Sequence, residues 1–239
     1  MRSAPLGVGG GVMAPVPSSK RCMDVVLCGA ALIVLSSLMA AVALWVRCTS
    51  KGPILYRARR AGYKGEGFDL LKFRTMRLGA DRDGAITEAG DSRILPLGRM
   101  VRMLRLDELP QIFNILRGEM SLVGPRPEDL DIVRNCYTPE QRAALDVLPG
   151  LSGIPQLSFL FDIGDLDPGD MDPQDHYKEI ILPLRLTLDL EYIRRQSVRY
   201  DLYLLSRTFL CIAFKSWFLL VRAPKQHLPT LEPITVVTR

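Results

Sequence analysis

Histidine is almost missing from this 239-residue chain: His176 and His227 are the only two, and they stand far apart. The five cysteines (Cys22, Cys28, Cys48, Cys136 and Cys211) are odd in number, scattered, and contain no CxxC pair. That distribution argues against a zinc site and against a disulfide framework, and free thiols fit a cytoplasm-facing protein. No glycine-rich phosphate loop of the P-loop or Rossmann type is present, which disfavours a soluble nucleotide-binding domain behind a signal anchor. No helix-turn-helix, finger or aromatic-interleaved strand accompanies the basic charge, so nucleic acid is not an expected partner. No internal repeat is visible.

What the chain does have is one long apolar run and a segregated charge. Val25 to Val46 is 22 residues without a charge, long enough for a bilayer, which takes ~20. It is too long for the ~7–15-residue core of a cleaved signal peptide, although Ala41-Val42-Ala43 imitates a cleavage site. Lys20 and Arg21 precede the run, and Arg47, Lys51, Arg57, Arg59, Arg60 and Lys64 follow it. Positive flanks prefer the cytoplasm, and here both flanks do. Two geometries stay open: a simple span, and a re-entrant segment that enters and leaves on one face. In the second, Ser36 and Ser37 bond to the backbone at a bend. Residues 47–105 hold 14 basic against 6 acidic residues, whereas residues 106–183 hold 5 against 15. The basic block beside the apolar run suits anionic headgroups or substrate phosphates.

Residues 1–19, rich in Gly, Ala, Pro and Ser, read as a disordered tail. The membrane helix is expected over 20–48, a catalytic domain over 49–222, and a tail over 223–239. Strands are expected at Ile54-Leu55-Tyr56 and from Phe68 to Phe73, and helices around Leu97–Leu106, Glu108–Arg117 and Glu140–Val147. Residues 79–92 read as a loop. Residues 162–175, with six aspartates, fail the spacing of a calcium loop and read as solvated surface. Residues 201–222 form an apolar helix whose Arg207, Lys215 and Arg222 fall within ~80° of one another. With Trp217 and Phe218 it is either an interfacial amphipathic helix or a core helix with a wet edge. The fold class expected is mainly α with some β: a membrane-embedded N-terminal helix, a small cytoplasmic domain and interfacial helices.

Three segments concentrate chemistry: Lys72-Phe73-Arg74-Thr75-Met76, Leu106-Asp107-Glu108-Leu109-Pro110-Gln111, and Ser121-Leu122-Val123-Gly124-Pro125-Arg126-Pro127. Adjacent helical residues point about 100° apart, so one of Asp107 and Glu108 can face a reacting phosphorus while the other holds a metal. Asp107 is expected at a helix start, with Pro110 in the first turn, where amides favour an ionised carboxylate and attract phosphate. An ionised carboxylate is a covalent nucleophile for phosphorus. Magnesium, held by one or two carboxylates plus phosphates, suits a pyrophosphate substrate. The same acidic pair also serves as ordinary helix capping. Pro125-Arg126-Pro127 is rigid and presents a guanidinium suited to phosphate. Arg102 is near enough in sequence to join the same site.

In this order and spacing the segments resemble the monotopic phosphoglycosyl transferases, the bacterial sugar transferases that begin polysaccharide and glycoconjugate assembly. The resemblance runs from about Lys20 to Leu220 and includes Asp24, Gly52-Pro53-Ile54-Leu55-Tyr56, Pro149-Gly150-Leu151-Ser152-Gly153 and Leu188-Asp189-Leu190-Glu191-Tyr192. It implies an enzyme at the cytoplasmic face of the bacterial inner membrane, moving a phosphosugar from a UDP-sugar to undecaprenyl (polyprenyl) phosphate with release of UMP. It implies Asp107 as nucleophile, Glu108 as the Mg2+ ligand, and Arg102, Lys72, Pro125, Arg126, Pro127 and Asp189 as substrate-site positions. Membrane lipid is an implied partner, and a homodimer is left open. Three departures stand out. Ser36-Ser37 replaces the Ser-Pro frequent in the family's membrane helix. Arg105 stands where a small hydroxyl residue is usual. Gly153-Ile154-Pro155-Gln156 and the acidic loop after it differ from the usual sequence, leaving the sugar open. The rival reading is a catalytically silent membrane-anchored adaptor.

Overall fold

In the computed structural model, residues 16–80, 92–161 and 171–221 are described; most of the expected tails, of the loop at 79–92 and of the acidic loop fall outside them. The apolar run and its basic approach form one helix, α1 (Ser18–Thr49), which absorbs the last residues of the expected tail. Ser36 Oγ does donate to the backbone, to the Ile33 carbonyl at 2.9 Å, but helical conformation continues unbroken through Ser36 and Ser37. Among the described residues α1 is the one helix long and apolar enough to cross a membrane, with a mean hydropathy of 2.6.

Its burial follows helical spacing. Lys20, Asp24, Cys28, Met39, Val42 and Val46 are buried along one face, while Val26, Ile33, Val34 and Leu44 are exposed. The buried face packs on the rest of the chain at both ends. Cys28 joins a cluster with Ala58, Phe68, Leu70, Ile112, Ile115 and Met120. Met39, Val42 and Val46 pack with Phe73 and Val101. A fully buried aliphatic side chain of this size is worth about 1.5–3 kcal/mol, so these contacts alone bind α1 firmly to the domain.

A hairpin of β1 (Leu55–Ala61) and β2 (Gly67–Phe73) follows, antiparallel and in register from Leu55↔Phe73 to Ala61↔Gly67. Next come α2 (Gly98–Met103), a 3-10 turn (Leu106–Glu108) and α3 (Gln111–Arg117). The two longer helices expected here are thus cut short. Arg105 adopts a left-handed φ of 56°, which a helix cannot contain, and Pro110 caps α3 rather than sitting inside its first turn. The strand β3 (Ser121–Val123) leads through α4 (Leu130–Cys136) to a 3-10 turn (Gln141–Leu145), which stands where a helix is expected, and to β4 (Gly150–Ser152). β3 and β4 pair in parallel, Ser121 with Gly150 and Val123 with Ser152. Then follow α5 (Ile154–Phe161), α6 (Pro173–His176), a π turn (Tyr177–Ile181), α7 (Leu182–Arg195) and α8 (Val198–Val221). On α8, Phe209 is 72% and Leu210 63% exposed, which fits the interfacial reading better than a core helix. The side chains of Lys215, Trp217, Phe218 and Arg222 lie outside the described residues.

The start of α1 is locked by buried charge. Lys20 Nζ donates to the Val123 carbonyl at 3.0 Å, to the Tyr192 hydroxyl at 3.2 Å and to Asp201 Oδ2 at 2.5 Å. Tyr192 donates in turn to Asp201 Oδ1 at 2.8 Å. Arg21 binds the carbonyls of Ile115 and Leu116 at the end of α3, at 2.6 and 2.8 Å. Asp24 Oδ1 accepts the Leu122 amide at 3.1 Å. One turn of α1 therefore ties together α3, β3, α7 and α8.

Candidate active site

The three sequence segments converge because each lies at the end of a short element. Lys72 sits near the end of β2, Glu108 in the 3-10 turn, and Arg126 just past β3. The loop that carries Arg126 is set by backbone contact. Gly150 donates to the Pro125 carbonyl at 2.7 Å, and Gly124 to the Ser152 carbonyl at 2.9 Å. A Cβ on Gly150 would fall 2.0 Å from the Gly124 nitrogen, a distance no side chain tolerates. The Pro149–Gly153 segment is therefore the seat of the Pro125-Arg126-Pro127 loop.

These residues border a cavity of about 730 Å³. Glu108 is its electrostatic centre. Its Oε1 lies 3.3 Å from Lys72 Nζ and 4.0 Å from the Arg126 guanidinium, and its Oε2 accepts from Arg105 at 2.7 Å. Burial alone would raise its pKa, but Lys72, Arg105 and Arg126 outweigh it and hold Glu108 down at about 2. Asp107 goes the opposite way. Burial, reinforced by the Glu108 charge, pushes it up to about 6 against the pull of Lys72 and Arg102. Helix-start amides, expected to favour the ionised form, do not decide its state, because Asp107 lies in a 3-10 turn with its side chain withdrawn from water. Adjacent carboxylates with pKa values driven apart are the pattern of divided acid and base roles.

Of the expected site residues, Lys72, Glu108, Arg126 and Pro127 line the cavity. Asp107 is not on its lining but shares the Lys72 charge with Glu108. Arg102 acts on Asp107 rather than on the cavity. Pro125 borders a small adjoining recess. Asp189 is 1% exposed and sits behind the wall; burial raises it to about 7 against the pull of Arg185 and of the Arg126 backbone amide. Neither of its oxygens makes a well-formed hydrogen bond.

Sequence reasoning missed Glu128, Tyr177 and Arg185 on the other half of the wall, and gave no role to Gln111 and Gln156, which also line it. Tyr177 donates to Glu128 Oε2 at 2.5 Å, and Arg185 binds both Glu128 and the Tyr177 hydroxyl. A signal was present: Arg185 and Asp189, four apart on one helical face, are the two charges in the leucine-rich Leu182–Leu190 stretch. Arg105 was noticed only as a departure, yet it makes the shortest contact to Glu108.

Among the described residues no three His, Cys, Asp or Glu side chains converge as a metal cluster. For a divalent cation that takes one or two carboxylates and completes its shell with substrate phosphates, the donor set fits. Glu108 is ionised at any physiological pH and faces the cavity, and Asp107 adjoins it. Its partners Lys72 and Arg105 are long side chains that can turn from Glu108 to phosphate.

Comparison with known proteins gives the family. The family model of the bacterial sugar transferases matches residues 16–215. The chain is 35% identical over 192 residues to the UDP-glucose:undecaprenyl-phosphate glucose-1-phosphate transferase of Caulobacter vibrioides, covering 79% of this chain and 67% of that protein. It is 34% identical over 209 residues to the exopolysaccharide production protein ExoY of Sinorhizobium fredii, covering 80% of this chain and 83% of that protein. The enzyme of Escherichia coli with the same name as the Caulobacter protein is 32% identical over 192 residues, but the match spans only 38% of its length. The match reaches from the charged root of α1 through all three site segments to α8, and the chain belongs to the bacterial sugar transferase family.

Proposed function

We propose that this protein transfers a phosphosugar from a UDP-sugar to undecaprenyl phosphate and releases UMP, through a phosphosugar held covalently on Asp107. The observation that carries the reading is the split acidic pair beside a cavity rimmed by Lys72, Arg105 and Arg126. An Asp107 oxygen attacks the β-phosphorus of the donor. The bond from that phosphorus to the bridging oxygen breaks, and UMP leaves with the electron pair. An oxygen of the carrier phosphate then attacks the same phosphorus, and Asp107 is released as carboxylate. Lys72, Arg105 and Arg126 neutralise charge on the leaving phosphate, the dominant demand of phosphoryl transfer. Mg2+, held by Glu108, would add charge neutralisation of the pyrophosphate. An adaptor without activity has no need of this arrangement.

The membrane arrangement belongs to the same proposal. Both ends of α1 pack on one domain, while its outer face is apolar. Seating α1 in one leaflet, with residues 16–20 and the domain on the cytoplasmic side, satisfies the positive flanks and brings the lipid carrier to the cavity. A simple span would place hydrocarbon between contacts that the fold holds together. Two experiments test these points. Purified membranes supplied with undecaprenyl phosphate and a panel of UDP-sugars should release UMP continuously with a cognate donor, and without the carrier should stop after about one UMP per chain; no UMP with any donor contradicts the activity. A cysteine placed at position 10 should resist labelling from the periplasmic side of spheroplasts; labelling there contradicts the topology.

A further inference from the structure

Two of the arginines that line the cavity, Arg126 and Arg185, have different surroundings. Both terminal nitrogens of Arg185 are engaged: one binds Glu128 and the other the Tyr177 hydroxyl, and its side chain is 5% exposed. Arg126 is not: its ion pair is with Glu108 at 4.0 Å, and its side chain is 39% exposed. Arg185 also repels Arg126. The loop that carries Arg126 is tied to the first group, because Glu128 follows two residues after Arg126 with only the rigid Pro127 between. Glu128 Oε1 closes the loop further by accepting the Asp129 amide at 2.8 Å.

We propose that Tyr177, Glu128 and Arg185 form a positioning clamp that aims Arg126 at the phosphates of the bound donor. Tyr177 is its keystone, since its hydroxyl accepts from Arg185 and donates to Glu128. The tyrosine begins a π turn, Tyr177–Ile181, an insertion that recurs at functional sites because it re-aims a side chain at the cost of regular helix. All three groups line the cavity, and the Tyr177 ring also packs against the core cluster that holds Val133, Leu182 and Leu186. With Glu128 held by Arg185, the Arg126 backbone is fixed. With Arg185 neutralised in part by Glu128, the remaining repulsion turns the Arg126 side chain toward Glu108 and the phosphate end of the cavity.

The inference rests on Arg126 as a phosphate-binding residue, and a double-mutant cycle separates the two claims. The probe is UDP, titrated into the full chain in detergent or nanodiscs, with thermal unfolding recorded for each variant. Arg126→Ala should weaken UDP binding; unchanged affinity would overturn both the phosphate role and the clamp. Tyr177→Phe, which keeps the ring and removes the hydroxyl, should weaken UDP about tenfold, the fold-change expected for one hydrogen bond to a charged group. In the Arg126→Ala background the same change should have no further effect. An equal loss in both backgrounds would make Tyr177 merely structural and overturn the clamp, as would no loss in either. If Tyr177→Phe lowers the melting temperature too far to titrate, Glu128→Gln takes its place in the cycle with the same outcomes.

Discussion

Lys20 and Lys72 are both lysines withdrawn from water beside carboxylates, but their surroundings differ. Lys20, its side chain 5% exposed, meets three oxygen acceptors, one of them on the fully buried Asp201. Lys72, 23% exposed, has Glu108 at 3.3 Å and open cavity beyond it. At the root of α1 positive and negative charge balance and every ammonium proton is used. At the cavity Lys72, Arg105 and Arg126 surround Glu108, leaving an excess of positive charge for an anionic ligand. The first arrangement holds a structure together; the second is complete only with substrate. Breaking a buried pair by removing one partner costs roughly 3–5 kcal/mol, whereas cationic groups facing a cavity can be removed with less harm to the fold.

The comparison yields predictions of decreasing size. Asp107→Asn should reduce turnover by at least ~10³-fold, because an amide is a poor nucleophile, while the protein stays folded; UMP release measures it. Glu108→Gln should lower activity about 10²-fold and raise the magnesium needed for half-maximal rate, and activity undiminished by excess EDTA would sink the metal assignment. At the root, Lys20→Met or Asp201→Leu should destabilise by about 3–5 kcal/mol, and whatever protein remains folded should keep a near-normal kcat. A root variant that folds normally but is inactive would erase the distinction between the two regions.

The acidic pair sharpens the comparison through pH. Asp107 is raised from 3.8 to about 6, so its ionisation opposes folding. That cost is absent below pH 3.8 and full above about 6. Asp107→Asn should therefore be more stable than wild type at pH 8, by up to about 3 kcal/mol, and equal to it near pH 3. Glu108 is lowered from 4.5 to about 2, so its stabilisation is present above pH 4.5 and is lost as pH falls through about 2. Glu108→Gln should be the less stable variant at pH 8, with the deficit shrinking in acid. Melting temperatures across pH would show the two neighbours with opposite signs. In wild type the same Asp107 value places the acid limb of kcat/KM near pH 6. The smallest effect expected is at the exposed Lys64–Asp146 pair: Lys64→Ala should leave both melting temperature and rate unchanged within error.

Much of this was legible in the sequence where a feature is local. The apolar run of α1, the second hairpin strand, the rigid Pro125-Arg126-Pro127 loop and the three site segments could be read from spacing and residue type, and the resemblance to sugar transferases ordered them; the first strand, expected at Ile54-Leu55-Tyr56, runs instead from Leu55 through the basic residues to Ala61. Features set by long-range packing could not be read. The left-handed Arg105, which splits the expected helices, depends on a turn that brings its guanidinium back to Glu108. The Asp107 pKa depends on burial, which helix-start reasoning does not see. Lys20 looked like a membrane flank, and only the return of α7 and α8 supplies Tyr192 and Asp201 as its partners. Glu128, Tyr177 and Arg185 come from three separate elements and meet only in the fold.

The central claim is that the cavity makes Asp107 a covalent carrier of the phosphosugar. Intact-mass analysis of the purified chain, incubated with a UDP-sugar turned over by its membranes and without undecaprenyl phosphate, tests it directly. The account predicts a mass increase of one phosphosugar per chain, one UMP released per chain, loss of the adduct when the carrier is added, and no adduct on Asp107→Asn. An unmodified wild-type chain that nevertheless turns over once the carrier is supplied would contradict it, leaving the carrier phosphate to attack the donor directly.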